Sequence, residues 1–382
     1  MTLRPLAVAA LSLLLFPALA HSAELTTANS KVKLKVGGFF YGAAHFDTNA
    51  GGSRPWLITV TEDSGRGSFS VDPYGTRLNF GIESQLENEA EAKGFLELDW
   101  GTVTSPRLRH AYVSLDFKNA VGLLVGQYWL PNMPIIPETF SPNAMLRQGN
   151  AWARTPQVSL FRTFGPVKGM LTLATSTGVT GSISQASTNT AKYALMEHAL
   201  PAAIGQVAYQ INPKSFVALA GGAWQPMVGY SNAEGPQSTK LTSWYSEAAT
   251  QLGFGKLSLG AKFWYGQGAG LGTGVGQSIV MNDQNEATGI TSMGGLASAK
   301  YAFHPKFSAS LYAGIDDPED TVEGVNLAIR RNLTVGGTAV YTAIEGGTLG
   351  LEVMNVTTTM YAGGNESPNN DTRASLVARY AF

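Results

Sequence analysis

The chain contains no cysteine among its 382 residues, which excludes disulfide bonds, thiol catalysis and cysteine metal sites. Charged residues make up only 14% of the sequence, well below the roughly 25% that is usual for a soluble domain. Beyond the amino terminus, no apolar run reaches the roughly 18 residues that a membrane-spanning helix needs. The sequence therefore fits neither an ordinary soluble domain nor a helical membrane protein.

The amino terminus has the pattern of a secretory signal peptide. Arg4 precedes an apolar run, Leu6 to Ala20, that ends in small residues, so we expect cleavage after Ala20 and one mature domain at 21–382. A membrane-spanning helix is the alternative, but the run is short and Pro17 interrupts it. Without Arg4 the chain keeps 25 Lys and Arg against 27 Asp and Glu, a formal charge of −2, which indicates no nucleic-acid partner.

Several stretches alternate polar and apolar residues with the two-residue period of a β-strand. The pattern is clear from Thr76 to Leu86, from Ala90 to Trp100 and from Lys256 to Tyr265. Glycine is abundant, at 44 residues, and aromatic residues fall at strand ends, as in the girdles of a membrane barrel. A soluble β-sandwich also alternates, but its strands are usually shorter. We therefore predict an all-β fold, a transmembrane antiparallel β-barrel.

Short and long connections alternate along the chain, as the periplasmic turns and outer loops of a barrel do. This alternation predicts 16 strands, at 32–46, 74–86, 90–100, 107–117, 121–129, 155–164, 167–177, 197–211, 215–228, 241–254, 256–267, 287–303, 306–315, 328–343, 347–360 and 371–382. Two places leave an alternative of 18 strands open. Pro201 lies inside the eighth predicted strand, where proline is poorly tolerated, and Val322 to Arg330 has the composition of a separate strand.

The connection from Leu130 to Arg154 contains four prolines, so it is neither a regular strand nor a plain helix. A loop of this length inside a compact domain usually carries function. We predict that it is the third outer loop and that it folds into the lumen.

The block Ser105 to Val113, followed by Gly122 to Trp129, resembles the fourth and fifth strands of the DcaP-like porins. The resemblance implies a trimeric 16-strand porin that prefers dicarboxylates and similar anions, with the loop after Trp129 narrowing the channel. The chain ends on Phe382 after Tyr380, and this ending resembles that of proteins read by the barrel assembly machinery. We expect a location among the lipids of the outer membrane of a Gram-negative bacterium.

Charges at the narrowest point set the selectivity of a porin. In the third loop, Arg147 and Arg154 outnumber Glu138. Alternation places Arg77 and Lys93 on the polar face of the second and third strands, where they would form a basic ladder that attracts carboxylates. Salt bridges that hold the loop to the wall are the alternative, because that face also carries Glu83, Glu91, Glu97 and Asp99.

Arg107 and Arg109 belong to the same candidate set, but the fourth strand does not alternate cleanly. If both face the lumen, a regular strand also turns Ala111, Val113 and Leu115 inward. A β-bulge would change that register. Because a charge on the lipid face costs about 2–4 kcal/mol at mid-membrane, we expect both arginines near the mouth of the pore.

Outer loops and one strand carry further hypotheses. The first loop, Asp47 to Pro73, is predicted to be mobile or to contact a partner subunit, unless it is merely solvated. Arg162 shares a face with apolar residues and is a candidate for a subunit contact. Acidic residues in later outer loops are either Ca²⁺ ligands or solvated charges: Asp283, Asp316, Asp317, Glu319 and Asp320.

The main functional hypothesis is passive diffusion of small hydrophilic solutes, with anions preferred, because 16 strands leave a water-filled channel. A lipase-like enzyme in the barrel wall is the alternative. His110 and Ser114 lie on one strand roughly 13 Å apart, too far for the hydrogen bond that activates a nucleophile. We find no nucleophile elbow or metal-ligand spacing and predict no cofactor. A plugged transporter is disfavoured because no plug domain precedes the first predicted strand.

Overall fold

The computed structural model describes most of the chain after the predicted signal peptide, 1–20, which lies outside the described residues. These are 23–26, 32–52, 56–86, 90–100, 106–117, 120–131, 135, 137–142, 144–175, 182–185, 194–196, 200–225, 227–232, 235–268, 277–281, 287–318, 321–322, 325–326, 329–362 and 364–382. Within this part of the chain, no helix is long and apolar enough to cross a membrane.

Sixteen strands follow one another around a closed antiparallel barrel. In chain order they are β1 (Val32–Asp47), β2 (Arg77–Gln85), β3 (Glu91–Trp100), β4 (Pro106–Asp116), β5 (Gly122–Trp129), β6 (Arg154–Phe164), β7 (Val167–Ala174), β8 (Ala202–Asn212), β9 (Ser215–Trp224), β10 (Ser243–Phe254), β11 (Leu257–Gln267), β12 (Thr291–His304), β13 (Phe307–Pro318), β14 (Ile329–Ile344), β15 (Gly347–Ala362) and β16 (Asn365–Ala381). Strand β16 pairs with β1, which closes the ring. The 16-strand prediction is confirmed.

The alternative of 18 strands is wrong for two local reasons. Strand β8 begins at Ala202, so Pro201 precedes the strand and its missing N–H interrupts no ladder. Residues Thr321–Val322 pair with Val325–Asn326 in a small outer hairpin, whereas Ile329 and Arg330 open β14. None of these segments adds a strand to the wall.

Side chains alternate between the two faces of the wall as the sequence predicts. On β2 and β3, Phe80, Ile82 and Leu96 are exposed on the outer face, whereas Glu97 and Asp99 are buried on the inner face. The same period places Tyr380 of β16 on the outer face. The ring of Phe382, which follows β16, lies 5.2 Å from that of Phe40. An apolar exterior around a polar lumen is the arrangement of a transmembrane barrel.

We call the segment between β5 and β6, residues 130–153, loop 3; its described residues, 130–131, 135, 137–142 and 144–153, fold into the lumen as predicted. Its two ends meet where the Leu130 N–H donates to the Ala153 carbonyl at 3.0 Å. Its middle lies against the far wall, where the Phe140 N–H donates to the Glu352 carboxylate of β15 at 3.1 Å. Loop 3 therefore crosses the interior of the barrel.

Glycines allow loop 3 to touch the wall directly. A Cβ at Gly314 of β13 would lie 1.9 Å from the Gln148 carbonyl oxygen, and a Cβ at Gly350 of β15 would lie 2.0 Å from the ring of Phe140. Within the loop, Gly149 has a φ of +92°, a conformation that favours glycine. A side chain at Gly314 or Gly350 would push the loop away from the wall.

The first outer loop, predicted to be mobile, to contact a partner subunit or to be merely solvated, also folds inward at Leu57 and Val60. We call residues 48–67 loop 1, of which 48–52 and 56–67 are described. Leu57 and Val60 are fully buried in a cluster with Met145 of loop 3 and with Tyr312 and Met354 of the wall. Burying these apolar side chains removes them from water, and this cluster is what draws loop 1 into the lumen.

We expect Gly314→Ala to lower the free energy of unfolding by about 1–3 kcal/mol, because its new methyl group overpacks the contact with the Gln148 carbonyl. Unfolding in urea, followed by tryptophan fluorescence in detergent micelles, measures the loss. Gly42→Ala is the matched control, since a Cβ at Gly42 has nothing within 4 Å. Equal stability of the two variants would show that loop 3 does not press on β13.

Candidate functional site

A β-bulge in β4 decides which of its side chains face the lumen. Glu97 of β3 pairs with His110, but the next residue, Leu98, pairs with Leu108, which leaves Arg109 as the extra residue on β4. Two consecutive side chains, Arg109 and His110, therefore point inward, and both are 3% exposed, whereas Leu108 is 43% exposed on the outer face. The bulge considered for this strand is confirmed. Because it shifts the register by one residue, Arg107 and Arg109 face the lumen while Ala111 and Val113 face outward.

The bulge assembles a buried network of ion pairs between β3 and β4. The Arg109 guanidinium donates to Glu97 at 2.6 Å and to Asp99 at 2.5 Å. Arg107 binds both oxygens of the same Asp99 carboxylate, at 2.9 and 2.8 Å. His110 Nδ1 lies 3.3 Å from Glu97. Because both carboxylates already have cationic partners, they are held in the wall rather than extended into the pore.

Three more arginines line the same side of the lumen. Arg77 of β2 and Arg379 of β16 lie over the ring of Phe39, at 5.2 and 5.4 Å. Arg154, the first residue of β6, lies over Trp129 at 4.6 Å and over Trp152 at 5.2 Å. Arg77 Nη1 also lies 4.0 Å from the Glu97 carboxylate, whereas stacking on aromatic faces fixes Arg154 and Arg379 without neutralising their charge. The sequence did not single out Arg379; its position in an alternating strand was the available signal, but its aromatic neighbour Phe39 is distant in sequence.

The basic wall is the name we give to Arg77, Arg107, Arg109, Arg154 and Arg379. Five arginines face two carboxylates, Glu97 and Asp99, so the formal balance of this group is +3. Among the described residues, no carboxylate lies within ion-pair distance of Arg154 or Arg379, and Arg154 Nη1 has no hydrogen-bond partner there. The lumen beside loop 3 therefore has a positive surface.

The other predicted selectivity residues lie elsewhere. Glu138 of loop 3 pairs with Lys300 of β12 at 2.8 Å, which ties the loop to the wall. Arg147 has a φ of +58°, and its carbonyl accepts a hydrogen bond from Asn332 of β14 at 2.7 Å. Lys93 pairs with Glu91 at 2.9 Å. Lys93 precedes Glu97 by four residues on β3, so it lies roughly 13 Å nearer the periplasmic end of that strand.

A buried lysine that the sequence did not single out anchors the returning leg of loop 3. Lys262 Nζ of β11 donates to the Ala151 carbonyl at 2.6 Å and to Asn150 Oδ1 at 3.0 Å. It also lies 3.0 Å from the Glu247 carboxylate of β10, and neither side chain is more than 1% exposed. Its position on the polar face of its strand was the available signal, but the loop atoms it binds are distant in sequence.

A second polar cluster joins three strands near the tip of loop 3. His45 Nε2 of β1 lies 2.8 Å from Asp72, a residue of the short segment Ser68–Asp72 that pairs with the outer end of β1. His45 Nδ1 lies 2.8 Å from Ser375 Oγ of β16. A cavity beside this cluster is also lined by Trp56 and Glu352. His110 and Ser114, which the sequence places too far apart to form a nucleophile and its base, are not part of this cluster.

The described residues contain no group of three or more His, Asp or Glu side chains that could hold a metal ion. Asp316 instead accepts the Gly149 N–H of loop 3 at 3.0 Å, and Asp317 pairs with Arg331 at 3.2 Å. Three of the candidates, Asp283, Glu319 and Asp320, lie outside the described residues.

Sixteen antiparallel strands, an inward third loop and a charged lumen define a β-barrel with the porin fold. The fold is similar to that of the outer membrane channel DcaP of Acinetobacter baumannii, with a TM-score of 0.76 at 17% identity over 94% of this chain and 100% of that chain. The predicted resemblance to DcaP-like porins is thus confirmed at the level of the fold.

Two further solved structures share the architecture. One is an anion-selective porin from Comamonas acidovorans, with a TM-score of 0.60 and 13% identity over 92% of this chain and 100% of that chain. The other is the outer membrane protein OmpT of Vibrio cholerae in its trimer form, with a TM-score of 0.56 and 11% identity over 92% and 99% of the two chains. No protein-family profile and no curated protein sequence matches this chain.

We expect Arg109→Met to lower the free energy of unfolding by about 3 kcal/mol, because it leaves buried carboxylates short of a partner. Lys93→Met breaks an ion pair whose side chains are 42% and 30% exposed and should cost at most about 1 kcal/mol. Urea unfolding of both variants in the same micelles gives the comparison. A loss at Arg109 no larger than that at Lys93 would contradict the buried network.

Proposed function

We propose that this chain is a passive diffusion channel for small hydrophilic solutes in the outer membrane, with a preference for anions such as dicarboxylates. The observation that carries the proposal is the basic wall beside loop 3, with its balance of +3 and with Arg154 and Arg379 outside any ion pair in the described residues. Glu138, Arg147 and Lys93 are weaker candidates for selectivity, since Glu138 and Lys93 already have ionic partners.

The anion preference follows from the fixed positive charges of the basic wall, which lie beside a narrow aqueous path. A lumen with low-dielectric walls concentrates the field of its charges and raises the local concentration of solutes of opposite sign. The stacked guanidinium groups keep N–H donors for a passing carboxylate, and Arg–carboxylate pairing is a charge-assisted hydrogen bond. Several weak sites in a row permit passage, whereas one tight site would trap the solute.

We also propose a homotrimer embedded in outer-membrane lipid and assembled through the terminal strand that ends at Phe382. The broad apolar exterior, which includes Leu351, Leu376 and Val353, suits both lipid and a neighbouring barrel. The trimer form of the OmpT structure is one precedent for this fold. Arg162, on the outer face beside Phe164 at 4.3 Å, stays a candidate for a subunit contact.

The double variant Arg154→Gln with Arg379→Gln should shift the reversal potential in a salt gradient toward cation preference. Each unit charge removed at 4 Å in water changes the interaction by about 1 kcal/mol, or about fivefold in local anion concentration. The matched control, Lys256→Gln with Lys306→Gln, removes two charges at the exposed periplasmic turns. An unchanged reversal potential in the first variant would show that Arg154 and Arg379 do not set the ion selectivity. If the unaltered protein gave no conductance at all, the channel function itself would be refuted.

A hydrolase is the second candidate function, and the cluster of Ser375, His45 and Asp72 is the observation that favours it. The tautomer of His45 that carries its proton on Nε2 would donate to Asp72 and leave Nδ1 to accept the hydroxyl proton of Ser375, which is the arrangement of a nucleophile with its base. Against it, Ser375 is only 2% exposed, so a substrate carbonyl has no open path to its hydroxyl. We therefore favour the channel and propose no enzyme activity.

A fluorophosphonate probe distinguishes the two functions, because it reacts covalently with an activated serine. We expect no adduct on Ser375 after long incubation with folded protein, as measured by mass spectrometry of peptides, with Ser375→Ala as the control for background. A stoichiometric adduct that is absent from the Ser375→Ala variant would overturn this expectation and support the hydrolase.

A further inference from the structure

Loop 1 is tied to the wall strands β15 and β16 by polar contacts at both of its described parts. At the start of the loop, the Asn49 N–H donates to Asp371 of β16 at 2.8 Å. Further along, the Val60 N–H donates to Thr358 Oγ1 of β15 at 2.9 Å. These bonds replace the ladder partners that an irregular segment lacks, so loop 1 has one defined position on this side of the barrel.

Loop 1 is also bound to loop 3, so the two loops form one body. Gln148 of loop 3, which is fully buried, donates from Nε2 to the Leu57 carbonyl at 3.0 Å. Asn332 of β14 bridges the loops, since its Nδ2 donates to the Ile58 carbonyl at 2.9 Å and to the Arg147 carbonyl at 2.7 Å. With the apolar cluster of Leu57 and Met145, these contacts fix loop 1 upon loop 3.

From this anchored position, Trp56 reaches the basic wall. Its ring lies 5.1 Å from the guanidinium carbon of Arg107, at the outer end of β4. The cluster that anchors Leu57 includes Tyr312 of β13, and β13 and β4 are seven steps apart around a ring of 16 strands. Loop 1 thus spans the lumen almost from one side to the other.

The contact also changes what Arg107 offers to a solute. One edge of its guanidinium is taken by both oxygens of Asp99, and one face is covered by the Trp56 ring. Asp99 and Trp56 thus occupy two of the five N–H donors and one face of the guanidinium, while the Arg107 side chain stays 41% exposed. Anions reach the deeper arginines of the basic wall by passing the pair formed by Trp56 and Arg107.

We propose that Trp56 is a specificity-determining residue: it forms, with Arg107, an outer restriction that limits the width of the anions admitted to the basic wall. This inference rests on the proposed channel function and adds a second constriction above loop 3. The indole is rigid and is held by its neighbour Leu57, so it restricts the passage without having to move. Slender carboxylates pass it more readily than branched or bulky ones of the same charge.

The absence of cysteine allows a test by single-cysteine chemistry. Trp56→Cys should raise the single-channel conductance in planar bilayers, and reaction with benzyl methanethiosulfonate, which puts an aromatic ring back at this position, should lower it toward the value of the unaltered protein. In liposome swelling, Trp56→Cys should increase the rate for a bulky dicarboxylate more than the rate for succinate. The reagent should leave the unaltered protein unchanged, because it has no thiol.

Trp244→Cys is the matched control, since the Trp244 side chain is exposed on β10. This variant should conduct as the unaltered protein does, both before and after reaction with the reagent. If Trp56→Cys conducts as the unaltered protein does and benzyl modification, verified by mass spectrometry, leaves conductance unchanged, the restriction at Trp56 is refuted while the channel stands. If the unaltered protein itself gives no conductance, the channel proposal fails first. Circular dichroism of each variant confirms that its β-barrel has folded.

Discussion

Arg109 lies between Glu97 and Asp99 because β4 carries one residue more than β3 at this point. In a regular strand, two consecutive side chains face opposite sides of the wall, and either Arg109 or His110 would have to face lipid. The bulge turns both inward, and the two carboxylates of β3 then hold Arg109 in place. Since those carboxylates are used in this network, they leave Arg154 and Arg379 without ionic partners among the described residues. The positive surface of the lumen depends on this local irregularity.

The inward loops meet a second constraint, which concerns their own backbone. A segment without regular structure has N–H and C=O groups that no neighbouring strand satisfies, and such groups are costly when water is excluded. Here, wall side chains supply the partners: Glu352 and Asp316 accept N–H groups of loop 3, and Lys262 and Asn332 donate to its carbonyls. Much of the charge inside the barrel is therefore used to hold loops, and only the remainder acts on solutes.

These two constraints explain why residue type alone does not reveal a role in the lumen. Lys300 and Arg379 are both cations on inward faces, yet Lys300 pairs with Glu138 and Arg379 stacks on Phe39. Glu97 and Glu352 are both buried carboxylates, yet Glu97 binds an arginine of the wall and Glu352 binds loop 3. The chemistry of each group is set by what the barrel closure and the loops bring within hydrogen-bond distance.

The sequence by itself determined the barrel, because the two-residue period and the alternation of short and long connections are local properties of the chain. It also identified loop 3 by its prolines, put Arg77 on the inner face and placed Arg107 and Arg109 near the mouth of the pore. It could not determine their partners. Ion pairs such as that of Arg373 with Asp47 at 2.6 Å join residues from opposite ends of the chain.

The tertiary structure alone decided where loop 1 lies and which groups Lys262, Trp56 and Arg379 contact. Leu57 and Val60 pack on Met145 of loop 3 and on apolar side chains of the wall, which are all distant in sequence, so nothing in the sequence of loop 1 distinguishes an inward path from an outward one. Which charges remain unpaired is likewise a property of the closed ring. Local periodicity fixes which face a side chain takes, whereas its neighbours across the lumen depend on strand register and loop packing, which are non-local.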